Sequence, residues 1–190
     1  MADNHIFQAL MIDEHEAQGE VAAWFDEVKR ELQTPFVPNF AKVLAVSPAA
    51  AKIYWAMVSA RAQHTTLPES LMSMIGYTIA YRNECQYCTS INELTCRTLG
   101  VDEDNLVSMA ENLDNVNPER IRAILEFALT VARSPKSLGE ADFERLREQG
   151  VTDAEIIEIA LNAAICALND ILSDTLKIPV EESVRQALGN

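Results

Sequence analysis

Apolar residues recur at three-to-four spacing along nearly the whole chain, which predicts one α-helix after another. From Gly19 to Gln33 the repeat runs Val21, Trp24, Phe25, Val28, Leu32, and Thr34-Pro35 ends it. Ser47-Pro48 is a helix start with proline at the first position. The helix from Pro48 to about Gln63 places Tyr54, Met57 and Val58 on one face. Leu67-Pro68 starts another, running to about Arg82. Its stretch from Leu71 to Tyr81 is apolar nearly all round, the pattern of a central, buried helix. Gly100 closes the helix that follows. Asp102 to Asn112 reads as a short polar helix, and Asn117-Pro118 opens an amphipathic one through Ile121, Ile124, Leu125, Ala128 and Val131. Glu140 to Gln149 is a further helix, capped by Gly150. Thr152-Asp153-Ala154-Glu155 is a capping-box pattern, leading into a long helix through Ile156, Ile159, Ala163 and Ala167 to Leu172. Lys177-Ile178-Pro179 is a connector before a last short helix.

No alternating run rich in Val, Ile and Thr predicts a sheet. The fold class is therefore all-α, a multihelical bundle. Residues 1–18 read as an N-terminal arm and 19–190 as a single helical domain. At 190 residues the chain buries roughly 70% of its unfolded surface and needs neither disulfide nor metal to fold.

Charge narrows the function classes. Lys and Arg number 15 against 29 Asp and Glu, a net charge of -14, which repels phosphate backbones and anionic lipid. Neither nucleic acid nor membrane is an expected partner. The start lacks a positive n-region, and the longest late uncharged run, Ile159 to Asn169, is shorter than the ~20 residues of a span. The expectation is a cytoplasmic protein.

The chemistry sits in Tyr81-Arg82-Asn83-Glu84-Cys85-Gln86-Tyr87-Cys88-Thr89-Ser90-Ile91-Asn92. With the buried helix ending near Arg82, Asn83 is the expected N-cap of a new helix and Gln86 its capping-box partner. Cys85 then lies in the first turn and Cys88 one turn on, on the same face. A helix N-terminus favours thiolate. Glu84 opposes it. The pair reads as a redox dithiol, as half of a zinc site, or as two ordinary cysteines. Zinc needs four ligands, and His5, His15 and His64 are scattered surface residues. Cys96, two turns past Cys88, could share its face, and Cys166 lies in an apolar run that points to the core.

These residues resemble the alkyl hydroperoxidase D family, also called carboxymuconolactone decarboxylase-like, and within it the peroxidase-related subgroup. The likeness is carried by Leu67-Pro68 through Asn83-x-Cys85-x-Tyr87-Cys88, with Phe36-Val37-Pro38-Asn39-Phe40 upstream. Helix order agrees over roughly Gly19 to Pro179. The resemblance implies an all-helical, oligomeric protein whose cysteine pair reduces hydroperoxides. A dithiol such as dihydrolipoamide on a partner protein re-reduces it. Carried over, Cys88 attacks and Cys85 resolves, with no cofactor and no metal. Members that decarboxylate lack the cysteine pair.

The sequence departs from the family at both assisting positions. Asn92 stands one turn after Cys88 where a histidine is expected, and Ser73 twelve residues before Cys85 where a glutamate is expected. Asparagine cannot titrate, and serine is no base near neutrality. Glu69 and Glu93 are the nearby carboxylates that could substitute, or else solvated helix charges. The expected function is a thiol-dependent hydroperoxide reductase with an atypical site, working as a homo-oligomer on a small hydroperoxide. The alternative is a non-catalytic or redox-sensing helical oligomer that binds a small molecule or protein.

Overall fold

The computed structural model describes residues 11–189. The first ten residues of the expected arm, His5 among them, lie outside the described residues. Among the described residues there are ten α-helices and no strand, the all-α class that the periodicity predicts. They are α1 (Gly19–Glu31), α2 (Asn39–Leu44), α3 (Pro48–His64), α4 (Glu69–Arg82), α5 (Gln86–Thr98), α6 (Glu103–Glu111), α7 (Glu119–Arg133), α8 (Glu140–Glu148), α9 (Asp153–Thr175) and α10 (Glu182–Leu188).

The chain divides into two compact units. One comprises the residues up to Thr65 together with Thr175–Glu181, and the other Thr66–Asp174 together with the residues from Glu182. In the first, Phe25 and Val28 of α1, Val37, Ala41 and Ala45 around α2, and Trp55 of α3 form the core. Ile12 and Ala17 pack against it. Glu14 accepts a hydrogen bond from Lys29 Nζ at 2.9 Å and another from the Val37 N–H at 3.1 Å. The 175–181 segment is tied in by Asn39, whose Nδ2 donates to the Pro179 carbonyl at 2.9 Å and whose N–H donates to Glu181 at 2.6 Å.

The second unit is built around α4, nine of whose fourteen residues are buried. Its core draws Leu71, Ile75 and Ile79 of α4, Cys96 of α5, Met109 of α6, Ile124, Leu125 and Ala128 of α7, and Ile156, Ile159 and Ala163 of α9. The capping box before α9 forms as the sequence predicts. The Thr152 N–H donates to Glu155 at 2.7 Å, and the Glu155 N–H donates back to Thr152 Oγ1 at 3.2 Å.

α9 runs to Thr175, three residues beyond the predicted Leu172, and so carries Ser173. Among the described residues it is the one helix long and apolar enough to cross a membrane by length and composition alone. Counting only uncharged residues hides this, because Asp170 interrupts the run. One face of α9 lies in the core through Ile156, Ile159, Ala163 and Cys166.

Candidate redox site

The turn between α4 and α5 differs from the sequence reading in a way that fixes the site. Asn83 is not the N-cap of the second helix; it is the C-cap of α4. The Cys85 N–H bonds back to the Ala80 carbonyl at 3.0 Å and the Glu84 N–H to the Tyr81 carbonyl at 3.2 Å. That is a Schellman closure, and it requires a left-handed residue at Glu84, where φ is 60°. A glycine ordinarily takes this place, so the backbone is strained beside the cysteines. Cys85 itself is the N-cap of α5, with extended φ and ψ, and its carbonyl accepts the first helical bond from Thr89 at 2.9 Å. No capping box between Asn83 and Gln86 forms, because Asn83 belongs to the preceding helix. Cys88 occupies the third position of α5, within the field of the helix N-terminus.

Cys85 and Cys88 are both free thiols, and both are buried. Their sulfurs and a carboxylate oxygen of Asp170 lie within 4.8 Å of one another. Asp170 comes from α9 and is 3% exposed. Its Oδ2 accepts from Asn83 Nδ2 at 2.8 Å. Its Oδ1 is buried with no hydrogen-bond donor on it among the described residues. Ser173, one turn on, places its Oγ 3.4 Å from the Cys88 sulfur.

The electrostatics follow from this packing. The neighbouring Cys85 thiol, then burial, push the Cys88 thiol strongly upward, and Asp170 adds to the rise while Ser173 opposes it. Burial raises the Asp170 carboxyl above its ordinary value, although the Asn83 amide and the two thiols pull the other way. Asp174 adds to the rise. Two thiols and a carboxylate are also donors that a divalent metal accepts, one short of a closed tetrahedral set.

The residues expected to assist stand on α4 and α5. Asn92 turns inward along its own helix and donates from Nδ2 to the Cys88 carbonyl at 2.7 Å. Its amide lies against Gly76 of α4, where an added Cβ would collide with Asn92 Oδ1. Ser73 is buried on α4, and Glu69 is exposed at the start of that helix. Glu93 is paired with Arg97 at 3.0 Å. Neither glutamate belongs to the Cys85–Cys88–Asp170 group. Cys96 is fully buried in the core, its thiol pushed up to about 12 by burial and then by Glu93. Cys166 is in the same core, and His15 and His64 are exposed.

Asp170 and Ser173 are the residues that the sequence reading misses, and a signal for them exists. Ile156, Ile159, Ala163, Cys166, Asp170 and Ser173 recur at alternating three- and four-residue spacing, and all six are buried. A carboxylate in register with a core stripe is a buried carboxylate, and buried carboxylates need a reason.

No family model matches the sequence, and no curated protein does. Solved structures do. A peroxidase-related protein from Ralstonia eutropha JMP134, described as an alkylhydroperoxidase AhpD core, is 26% identical with a TM-score of 0.82, covering 92% of each chain. A peroxidase-related protein from Silicibacter sp. TM1040 is 22% identical with a TM-score of 0.79, over 92% of this chain and 93% of that one. The debrominase Bmp8 in its apo form is 22% identical with a TM-score of 0.76, over 94% and 95%. Its cysteine-to-alanine variant is known in complex with 2,3,4-tribromopyrrole. The chain shares its all-helical fold with these AhpD-core, peroxidase-related structures, which supports the resemblance carried by the paired motifs.

Proposed function

We propose that the chain is a thiol-disulfide oxidoreductase that reduces a small hydroperoxide with the Cys85–Cys88 dithiol. The observation that carries this reading is two free thiols at a helix N-terminus with sulfurs within 4.8 Å. A disulfide needs about 2.05 Å between sulfurs, which side-chain rotation and a small backbone shift supply. The Cys88 thiolate attacks one peroxide oxygen, the O–O bond breaks, and the alkoxide leaves as alcohol after taking a proton. Cys88 is then a sulfenic acid. The Cys85 thiol attacks the Cys88 sulfur, the disulfide forms, and hydroxide leaves with the Cys85 proton as water. Two thiols are oxidised and one peroxide bond is reduced. A dithiol reductant, of the lipoyl type on a partner protein, returns two electrons and two protons.

The same reading includes a homo-oligomer. Its support is the outward face of α9. There Ile157, Leu161, Ala164, Leu168 and Ile171 repeat at four-and-three spacing, with Ile157 71%, Leu161 55% and Ile171 62% exposed. That is the spacing of a helix–helix seam.

The test is consumption of hydrogen peroxide and of an alkyl hydroperoxide, with dihydrolipoamide as reductant. Wild type is compared with Cys88→Ser and Cys85→Ser. The likeness to a debrominase adds a brominated pyrrole to the panel. Wild type should exceed both variants, and Cys85→Ser should stall at the sulfenic acid. Wild type equal to Cys88→Ser on every substrate would instead favour a redox-sensing or non-catalytic oligomer.

A further inference from the structure

We propose that Asp170 is the proton acceptor of the dithiol, replacing from α9 the titratable groups that positions 92 and 73 do not supply. The proposal rests on the dithiol reading above. The geometry is specific. A carboxylate oxygen lies within 4.8 Å of both sulfurs. Oδ2 is held by Asn83 at 2.8 Å, which fixes the carboxylate plane and leaves Oδ1, buried and without a donor among the described residues, as the free acceptor. Burying a carboxylate without full satisfaction is costly, so its retention calls for a chemical role. Asp170 also lines a cleft of about 390 Å³ with Asn83, Arg133, Ile171 and Asp174. A proton taken from the dithiol has an exit to water there.

The steps balance. Asp170 carboxylate takes the Cys88 thiol proton, giving thiolate and carboxylic acid. The thiolate attacks the peroxide, and the Asp170 acid returns that proton to the departing alkoxide. The carboxylate is regenerated before Cys85 attacks. A carboxyl raised by burial is a better match for a thiol proton than an exposed one, which would hold it too weakly. The groups that act on Asp170 are the two thiols and the Asn83 amide at the α4–α5 turn and Asp174 on its own helix, while Arg133 of α7 lines the same cleft.

The deciding measurement is the pH dependence of peroxide reduction in wild type and Asp170→Asn, with thiolate followed by its ultraviolet absorbance. Asparagine keeps an oxygen for Asn83 and removes both the base and a negative charge. On charge alone, Asp170→Asn makes thiolate easier to form and the reaction faster. As a lost proton acceptor, it slows the neutral-pH reaction by about 10²-fold or more while thiolate still forms at lower pH than in wild type. Opposite movement of rate and thiolate supports the proposal. An unchanged or faster rate in the variant, with wild type active, overturns it and leaves the dithiol reading standing. If the variant does not fold, the wild-type profile decides. A proton acceptor gives a plateau near neutrality, and a rise of tenfold per pH unit throughout overturns it. Wild type no faster than Cys88→Ser overturns both.

Discussion

Asn83 Nδ2 donates to Asp170 Oδ2 at 2.8 Å, joining the last cap of α4 to the C-terminal half of α9 across 87 positions of sequence. Through this one bond, the residue that ends the helix before the cysteine pair also orients the carboxylate beside it. The strained Glu84 turn serves the same end, because it makes Asn83 a C-cap whose amide faces α9.

The buried carboxyl has a consequence for stability. Its folded-state value is raised, so between the ordinary carboxyl value and the raised one the folded protein binds more protons than the unfolded chain. Stability therefore falls as pH rises through that window and stays lower above it. Asp170→Asn removes this loss. The variant should melt higher than wild type at pH 7, by about 2–4 °C for each kcal/mol recovered. The gap should close below about pH 4. A variant that melts lower at pH 7 would show that the carboxylate is structurally required.

Gly76 is the second sensitive point. A methyl group there would collide with Asn92 Oδ1 and meet Cγ at 2.8 Å, while the amide is tied to the Cys88 carbonyl at 2.7 Å. Gly76→Ala should destabilise by about 1–3 kcal/mol, the usual range for overpacking. Denaturant melts of the single and double variants measure the coupling. In an Asn92→Ala background the same change should lose most of its effect. Equal losses in both backgrounds would mean that the crowding lies elsewhere.

Introducing the histidine and glutamate that the resemblance expects gives a third comparison. General base help is typically worth 10²–10⁴-fold. If Asp170 already supplies it, Asn92→His with Ser73→Glu should change the wild-type rate at pH 7 by less than tenfold. In Asp170→Asn the same pair should raise the rate at least tenfold. Steady-state peroxide consumption at pH 7 measures both, and a large gain in wild type would mean that Asp170 contributes little.

Assembly is tested on the outward face of α9. Wild type should scatter as a species of at least two 21.1 kDa chains at micromolar concentration. Leu161→Glu with Ile157→Glu changes two exposed side chains, so helix content should persist while the mass falls to one chain. An unchanged mass would move the interface off this stripe.

Much of the architecture was readable in the residues themselves. Helix periodicity and capping depend on side chains within one or two turns, so α7 and the Thr152–Glu155 box appear in the sequence nearly as they fold. The Cys85–Cys88 pair was legible for the same reason, since three-residue spacing is local. As a cap, Asn83 suits either helix, and the fold uses it to end α4. The choice was made by Glu84 entering the left-handed region, which no preference of glutamate predicts.

The Asp170 carboxylate was settled only by tertiary structure. Alone, Asn169-Asp170 reads as a polar interruption of an apolar helix, and the register that buries it matters only once α9 has a face to pack on. The sequence by itself determined the helices and the three-residue spacing of Cys85 and Cys88. Packing of α9 decided which carboxylate stands beside the sulfurs. Helix formation is set by neighbours along the chain, whereas the surroundings of a buried thiol are set by helices that meet from distant parts of it.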